Sequence, residues 1–418
     1  MSYVKVVGGN KIKGEIKLQG SKNAALPILA ASVLCNGPVR IENCPDITDV
    51  RELLLALSHA GVTCHLEHGI LDIDASLTTP VVFGPDIAKK TRGGVLFLGA
   101  FLGRFHEAGM AYPGGCVIGA RPIDLHCKVL RALQVTVLEE EDGVFAKGKP
   151  VGDRITLSYP SVGATENAIL AAVCAEGRTE LTGAATEPEI AELCRFLNKA
   201  GARIWGIGTS YLVIDGVSSL QGVSYKLSGD RIVAGTYLAA AAITGGEIVL
   251  RETEGVCMKG IYESLRATGM QIYEEQHLIA ARANDRMLAI AGLETAPFPA
   301  FPTDMQSQMA ALLSVADGDS SICETVFESR FGIVPELQKL GADVTSVGRC
   351  IVIHGVKKLY GGCVTASDLR TGAALLLAGL VAEGETDVYG YEYIARGYEN
   401  ICGVFGALGM TAALFEEH

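Results

Sequence analysis

Six residues recur at one place in a repeated helix-opening motif: Lys22, Arg92, Thr165, Arg231, Asp304 and Arg370. Each stands at the polar start of an apolar run, where a helix exposes unpaired N–H groups and the positive end of its dipole. Helix starts of this kind that converge form an anion site. A second kind of chemistry lies in Pro113-Gly114-Gly115-Cys116-Val117-Ile118-Gly119, a stretch without the bulk of a core element that suits a surface loop. A thiol there, with a free pKa of ~8.5, stays mainly protonated near neutral pH and can give up a proton. Beside cations it would gain thiolate character. Asp304 follows Pro302-Thr303 at a helix start, so it can serve as a base, as a helix cap, or as both.

The elements that must position these groups come from self-similarity. Ser21 to Ala31, Val162 to Ala172, Asp230 to Ala240, Asp304 to Leu313 and Ser367 to Ala378 open like helices, and each is followed by a turn into a strand, with a weaker copy near Arg92. A second, amphipathic helix in each unit runs into glycine at Gly61, Gly201, Gly269, Gly341 and Gly409, where a left-handed cap is expected. Hairpins such as Thr63 to Leu66 with Ile70 to Ile73 alternate apolar and polar residues. The spacing predicts six β-α-β-α-β-β-like units in an α/β protein. With 418 residues, a length prior of about two to three domains suits two groups of three.

Composition narrows the function. The chain is 49% hydrophobic and 20% charged, which is globular rather than disordered. A net charge of −12 argues against nucleic-acid binding, which needs a basic footprint, but allows an anionic small molecule at a local cationic site. Apolar runs such as Ala373 to Ala382 fall short of the ~18 residues of a membrane span, and Met1 to Asn10 does not have the pattern of a signal peptide. A cytoplasmic protein without membrane contact is expected. Most of the twelve cysteines are expected to be reduced, buried small hydrophobes. No Cys-x-x-Cys, Walker loop or dinucleotide fingerprint is present.

Ser21-Lys22-Asn23-Ala24-Ala25-Leu26-Pro27 and the block from Pro113 to His126 closely resemble the UDP-N-acetylglucosamine 1-carboxyvinyltransferase family, the enolpyruvyl transferases of early peptidoglycan synthesis. Phe301 to Gln306, Glu324 to Phe331, Ser367 to Arg370 and Arg396 to Glu399 match in the same order, so the likeness spans nearly the whole chain. The chain departs from the family pattern at Gly93-Gly94, Leu98 to Phe101, Tyr159-Pro160 and Phe331-Gly332-Ile333. The resemblance implies two inside-out α/β barrel domains. One comprises residues 21–228; the other is discontinuous, 1–20 plus 229–418, with the active site in the cleft between them.

The implied reaction moves the enolpyruvyl group of phosphoenolpyruvate onto the 3′-hydroxyl of UDP-N-acetylglucosamine and releases phosphate. By the same resemblance Cys116 is the proton donor, open to alkylation by fosfomycin, and Asp304 the general base. Lys22, Arg121 and Arg396 clamp the phosphate and carboxylate, with Arg330 and Arg370 in support. Asn23 bridges the two substrates. Arg92, Arg121, Pro122, Ile123, Asp124, Leu125, Asp304 and Val326 contact the nucleotide sugar. The chemistry calls for no metal or organic cofactor, since carbon is neither oxidised nor reduced. Two other readings stand beside it: a shikimate-type enolpyruvyl transferase, and a non-catalytic protein, either a repeat scaffold or a UDP-sugar-binding paralogue.

Overall fold

A computed structural model describes residues 2–90, 92–112 and 123–416, apart from the side chains of Lys89 and Arg92. The chain divides into two compact units. One collects residues up to Gln19 and from Ser228 onward; the other takes the described residues between Gly20 and Leu227.

Six four-stranded sheets share one order: an outer strand, a parallel neighbour, then the two strands of an antiparallel ladder. In the 20–227 unit, Leu220–Lys226 runs parallel to Cys35–Glu42, which pairs with Ile70–Asp74, itself paired with Thr63–Glu67. Val39 and Cys64 both register on Ile73, so the apolar alternation of the hairpin faces one side. The strand Leu220–Lys226 thus returns from the end of its unit to finish the first sheet.

The chain start does the same for the other unit. Ser2–Val7 inserts between Glu385–Tyr389 and Thr411–Glu416, and Lys13–Lys17 runs parallel to Glu247–Arg251. Backbone hydrogen bonds of strands need a partner, and those partners place the first nineteen residues with the 228–416 portion.

Two kinds of helix follow from the sequence pattern. Val162–Ala172, Arg231–Thr244, Gln306–Leu313 and Leu369–Val381 bury residues on every side, as a core helix must. In the 228–416 unit three of these pack against one another, so helices occupy the middle and sheets flank them, the inside-out arrangement. Side chains cap four of these helix starts: Ser21 and Ser161 accept from Ala24 and Ala164, Asp230 from Ile232 and Val233, and Asp368 from Arg370 and Thr371.

The amphipathic helices end as expected too. Gly61, Gly201, Gly269, Gly341 and Gly409 all take left-handed φ values, between 81° and 106°. In the weaker copy the same left-handed place, after the helix Asp124–Ala132, is held by Gln134 at φ 62°.

Candidate active site

In the 228–416 unit the sequence places Asp304 in a single tight turn, Thr303–Met305, that leads into the helix Gln306–Leu313. Neither element has a side-chain cap, so the capping use of Asp304 is not the one adopted. Its two oxygens go instead to two arginines. Arg330 Nη2 lies 2.9 Å from Oδ1 and Arg370 Nη2 lies 2.7 Å from Oδ2. Their side chains are 4% and 5% exposed, against 26% for Asp304, so the carboxylate is the part of the cluster that a ligand can reach. Two guanidiniums on one carboxylate make charge-assisted hydrogen bonds that fix the direction of each oxygen.

Each arginine is fixed from behind. Arg370 opens the core helix Leu369–Val381 just after its Asp368 cap. Burial opposes its charge, but Asp304, with Tyr398 and Asp230, outweighs that and holds the guanidinium above its ordinary pKa. Tyr398 is itself buried and shares a 2.8 Å hydrogen bond with Thr236. Arg330 donates from Nη1 to Thr303 Oγ1 at 2.8 Å and lies 5.3 Å from the Phe327 ring centroid. Gln306 Nε2 holds the Arg330 carbonyl at 2.8 Å.

The turn carrying Val326 hangs from Glu324, which is fully buried. Val326 and Phe327 donate their backbone N–H groups to Glu324 Oε1 at 2.8 and 3.0 Å. Val326 is half-buried, as is Arg396 just beyond the one-turn helix Tyr391–Ile394. The residue before Glu324 belongs to the one described pair outside the reduced majority: Cys323 and Cys350, register partners on antiparallel strands, form a disulfide. A cross-strand neighbour is set by pairing, and 26 intervening residues hide it from a sequence reading. Nine other described cysteines are free thiols.

In the 20–227 unit Lys22 opens its helix beside Asn23, and Lys22 Nζ sits 2.7 Å from Asp49 Oδ2. Asp49 is in the first turn of the helix Thr48–His59, where its charge suits the dipole. Ile123 is buried, Leu125 half-buried and Asp124 exposed at the start of the helix Asp124–Ala132. On the core helix Val162–Ala172, Glu166 is enclosed, and burial pushes its carboxyl well above the ordinary range, with Glu189 and Glu187 adding to the shift. Cys116, Arg121 and Pro122, and the side chain of Arg92 at the head of the short helix Arg92–Leu96, lie outside the described residues.

The structure thus brings Asp304, Arg330 and Arg370 together within one unit. It adds three residues that the sequence reading passed over: Thr303, Glu324 and Asp49. The strand before Glu324, Asp-Ser-Ser-Ile-Cys, is largely polar, and nothing in it marked the following glutamate as buried.

The fold is that of the carboxyvinyl and enolpyruvyl transferases. The enolpyruvyl transferase NikO from Streptomyces tendae superposes with a TM-score of 0.89 at 24% identity, covering 99% of each chain. EPSP synthase from Acinetobacter baumannii gives 0.77 at 20% identity, covering 100% of each. The family model of EPSP synthase (3-phosphoshikimate 1-carboxyvinyltransferase) matches residues 6–405. UDP-N-acetylglucosamine 1-carboxyvinyltransferases of Dichelobacter nodosus and Halothermothrix orenii are each 44% identical, over 401 residues (96% of both chains) and 397 residues (95% of both). The chain belongs to the EPSP synthase family and, within it, to the UDP-N-acetylglucosamine 1-carboxyvinyltransferases.

Proposed function

We propose that this protein transfers the enolpyruvyl group of phosphoenolpyruvate to the 3′-hydroxyl of UDP-N-acetylglucosamine, with release of phosphate, the entry step of peptidoglycan synthesis. The observation that carries the mechanism is the reachable Asp304 carboxylate gripped by two buried arginines. Asp304 takes the proton of the sugar hydroxyl as its oxygen attacks C2 of phosphoenolpyruvate. Cys116 delivers a proton to the vinyl CH2. The result is a tetrahedral ketal. Return of a methyl proton to the Cys116 thiolate and cleavage of the C–O bond to phosphate, which leaves with the proton held by Asp304, then restore the vinyl group on the sugar.

Charge handling follows the same division. Lys22, Arg121 and Arg396 hold phosphate and carboxylate, and Asn23 bridges both substrates. Arg330 and Arg370 serve the reaction through Asp304. Arg92, Arg121, Pro122, Ile123, Asp124, Leu125 and Val326 form the nucleotide-sugar contacts. Pro122, Ile123 and Leu125 have no polar side chain, so any hydrogen bond they make there comes from the backbone.

The reaction is set in the cytoplasm. No helix among the described residues is long and apolar enough to cross a membrane. The test is phosphate release from phosphoenolpyruvate with UDP-N-acetylglucosamine or with 3-phosphoshikimate as acceptor. Turnover with the UDP-sugar alone is expected. Turnover with 3-phosphoshikimate would favour the shikimate-type reading, and tight UDP-sugar binding without phosphate release would favour a non-catalytic binder.

A further inference from the structure

Glu324 is buried to 0% exposure, and both of its oxygens are committed. Oε1 accepts from Thr295 Oγ1 at 2.8 Å and from the Val326 and Phe327 backbone amides. Oε2 accepts from Thr303 Oγ1 at 2.7 Å. A threonine hydroxyl has one proton, and here it is spent on Glu324. What Thr303 turns toward Arg330 is therefore a lone pair, and Arg330 Nη1 donates to it at 2.8 Å. The other arm of the same planar guanidinium, Nη2, meets Asp304 Oδ1. Because the guanidinium is rigid, fixing Nη1 fixes where Nη2 points. The Arg330 Nε–H, buried and without a hydrogen-bond partner, adds no restraint of its own.

From this chain of bonds we infer that Thr303, with its proton held by Glu324, is a positioning residue: it aims Arg330, and through Arg330 the Asp304 carboxylate. Backbone hydrogen bonds alone would not do this. Thr303 sits one residue before Asp304, yet its hydroxyl reaches across to the turn after the strand Asp319–Cys323. One buried carboxylate thereby ties the Val326 turn and the Asp304 turn to a common point. The inference rests on the reading of Asp304 as the base.

Three variants test it in the full chain. Thr303→Ser keeps the hydroxyl. Thr303→Val keeps the shape and loses the hydroxyl. Glu324→Gln keeps the oxygen facing the three Oε1 donors but presents an NH2 donor to Thr303, whose proton then loses its acceptor. Positioning predicts that Thr303→Ser stays within about twofold of wild type. Thr303→Val and Glu324→Gln should lose about ten- to a hundredfold in kcat, with the phosphoenolpyruvate KM within about twofold. Wild-type kcat in both, or an equal loss in Thr303→Ser and Thr303→Val, overturns the inference. Arginine-selective NMR supplies a readout that needs no turnover, and so separates this inference from the assigned activity. Rotation of the Arg330 Nη groups should be hindered in wild type and Thr303→Ser and freer in Thr303→Val. Equal hindrance in Thr303→Val also overturns it, whatever the acceptor assay shows.

Discussion

Lys22 Nζ lies 2.7 Å from Asp49 Oδ2, joining the starts of two packed helices with side chains only 12% and 7% exposed. Such a pair has two jobs that mutation can separate: neutralising buried charge, and presenting a cation to a ligand. Lys22→Ala takes the ammonium from a buried carboxylate and should cost about 3 kcal/mol of stability. Adding Asp49→Asn should return most of that stability and none of the phosphoenolpyruvate affinity. Denaturant melts and substrate titrations of the single and double variants check this. Affinity recovered along with stability would make Lys22 a structural residue only.

Asp304→Asn separates the ion-pair role from a cap. Asparagine caps a helix about as well as aspartate, so a cap alone predicts unchanged stability. The two buried arginines predict otherwise, since the variant removes the carboxylate charge that they share. A loss of about 3–5 kcal/mol is expected, together with a hundred- to ten-thousandfold fall in kcat, roughly the range for a missing general base. A melting temperature equal to wild type would show that the arginines do not depend on Asp304.

The Cys323–Cys350 bond closes a loop with a sequence separation of 27. Loop-closure entropy gives such a bond about 3–4 kcal/mol. Without reductant, Cys350→Ser should therefore be less stable than wild type by about that amount, and in reductant the two should converge. Thiol titration of unfolded protein should count two fewer groups without reductant than with it. Equal counts would mean that the pair is reduced as isolated.

Glu166 makes stability depend on pH with a definite sign. Its folded-state pKa is raised by burial and by Glu189 and Glu187, so the folded chain holds this proton more tightly than the unfolded chain does. Stability from this group is therefore full below the ordinary carboxyl value of 4.5 and is lost as pH rises from there through the folded-state pKa. Glu166→Gln cannot ionise. Its melting temperature should gain on wild type progressively as pH rises above the ordinary carboxyl value of 4.5, by a few degrees. A constant difference across that range would rule out a buried, proton-holding Glu166.

Gln134 stands exposed at φ 62°, where five of the six units use glycine. A side chain in that conformation costs about 1–2 kcal/mol, partly offset by the greater unfolded-state entropy of glycine. Gln134→Gly should stabilise the protein by about 0.5–1 kcal/mol in urea melts. A loss of stability would show that the Gln134 side chain makes contacts worth more than its backbone strain.

Much of the architecture was written locally. Apolar spacing, polar helix starts and glycine stops are short-range features, and they marked the six units and the helix starts at Lys22, Arg92, Arg231 and Arg370. The Pro-Gly-Gly-Cys block and the Phe301 to Gln306 stretch were distinctive enough to point to a family. What the linear order could not express was partnership between distant residues. Whether Asp304 caps a helix or faces Arg330 and Arg370 depends on how the starts of separate helices pack, and only the folded unit brings residues 304, 330 and 370 within 3 Å contacts. Asp49 beside Lys22, and Glu324 beneath Thr303, are likewise products of burial. A charged side chain removed from water must find a counter-charge or hydrogen-bond donors, and in three dimensions the available partner is set by packing rather than by sequence distance. The disulfide has the same origin: strand register, not cysteine spacing, put Cys323 opposite Cys350.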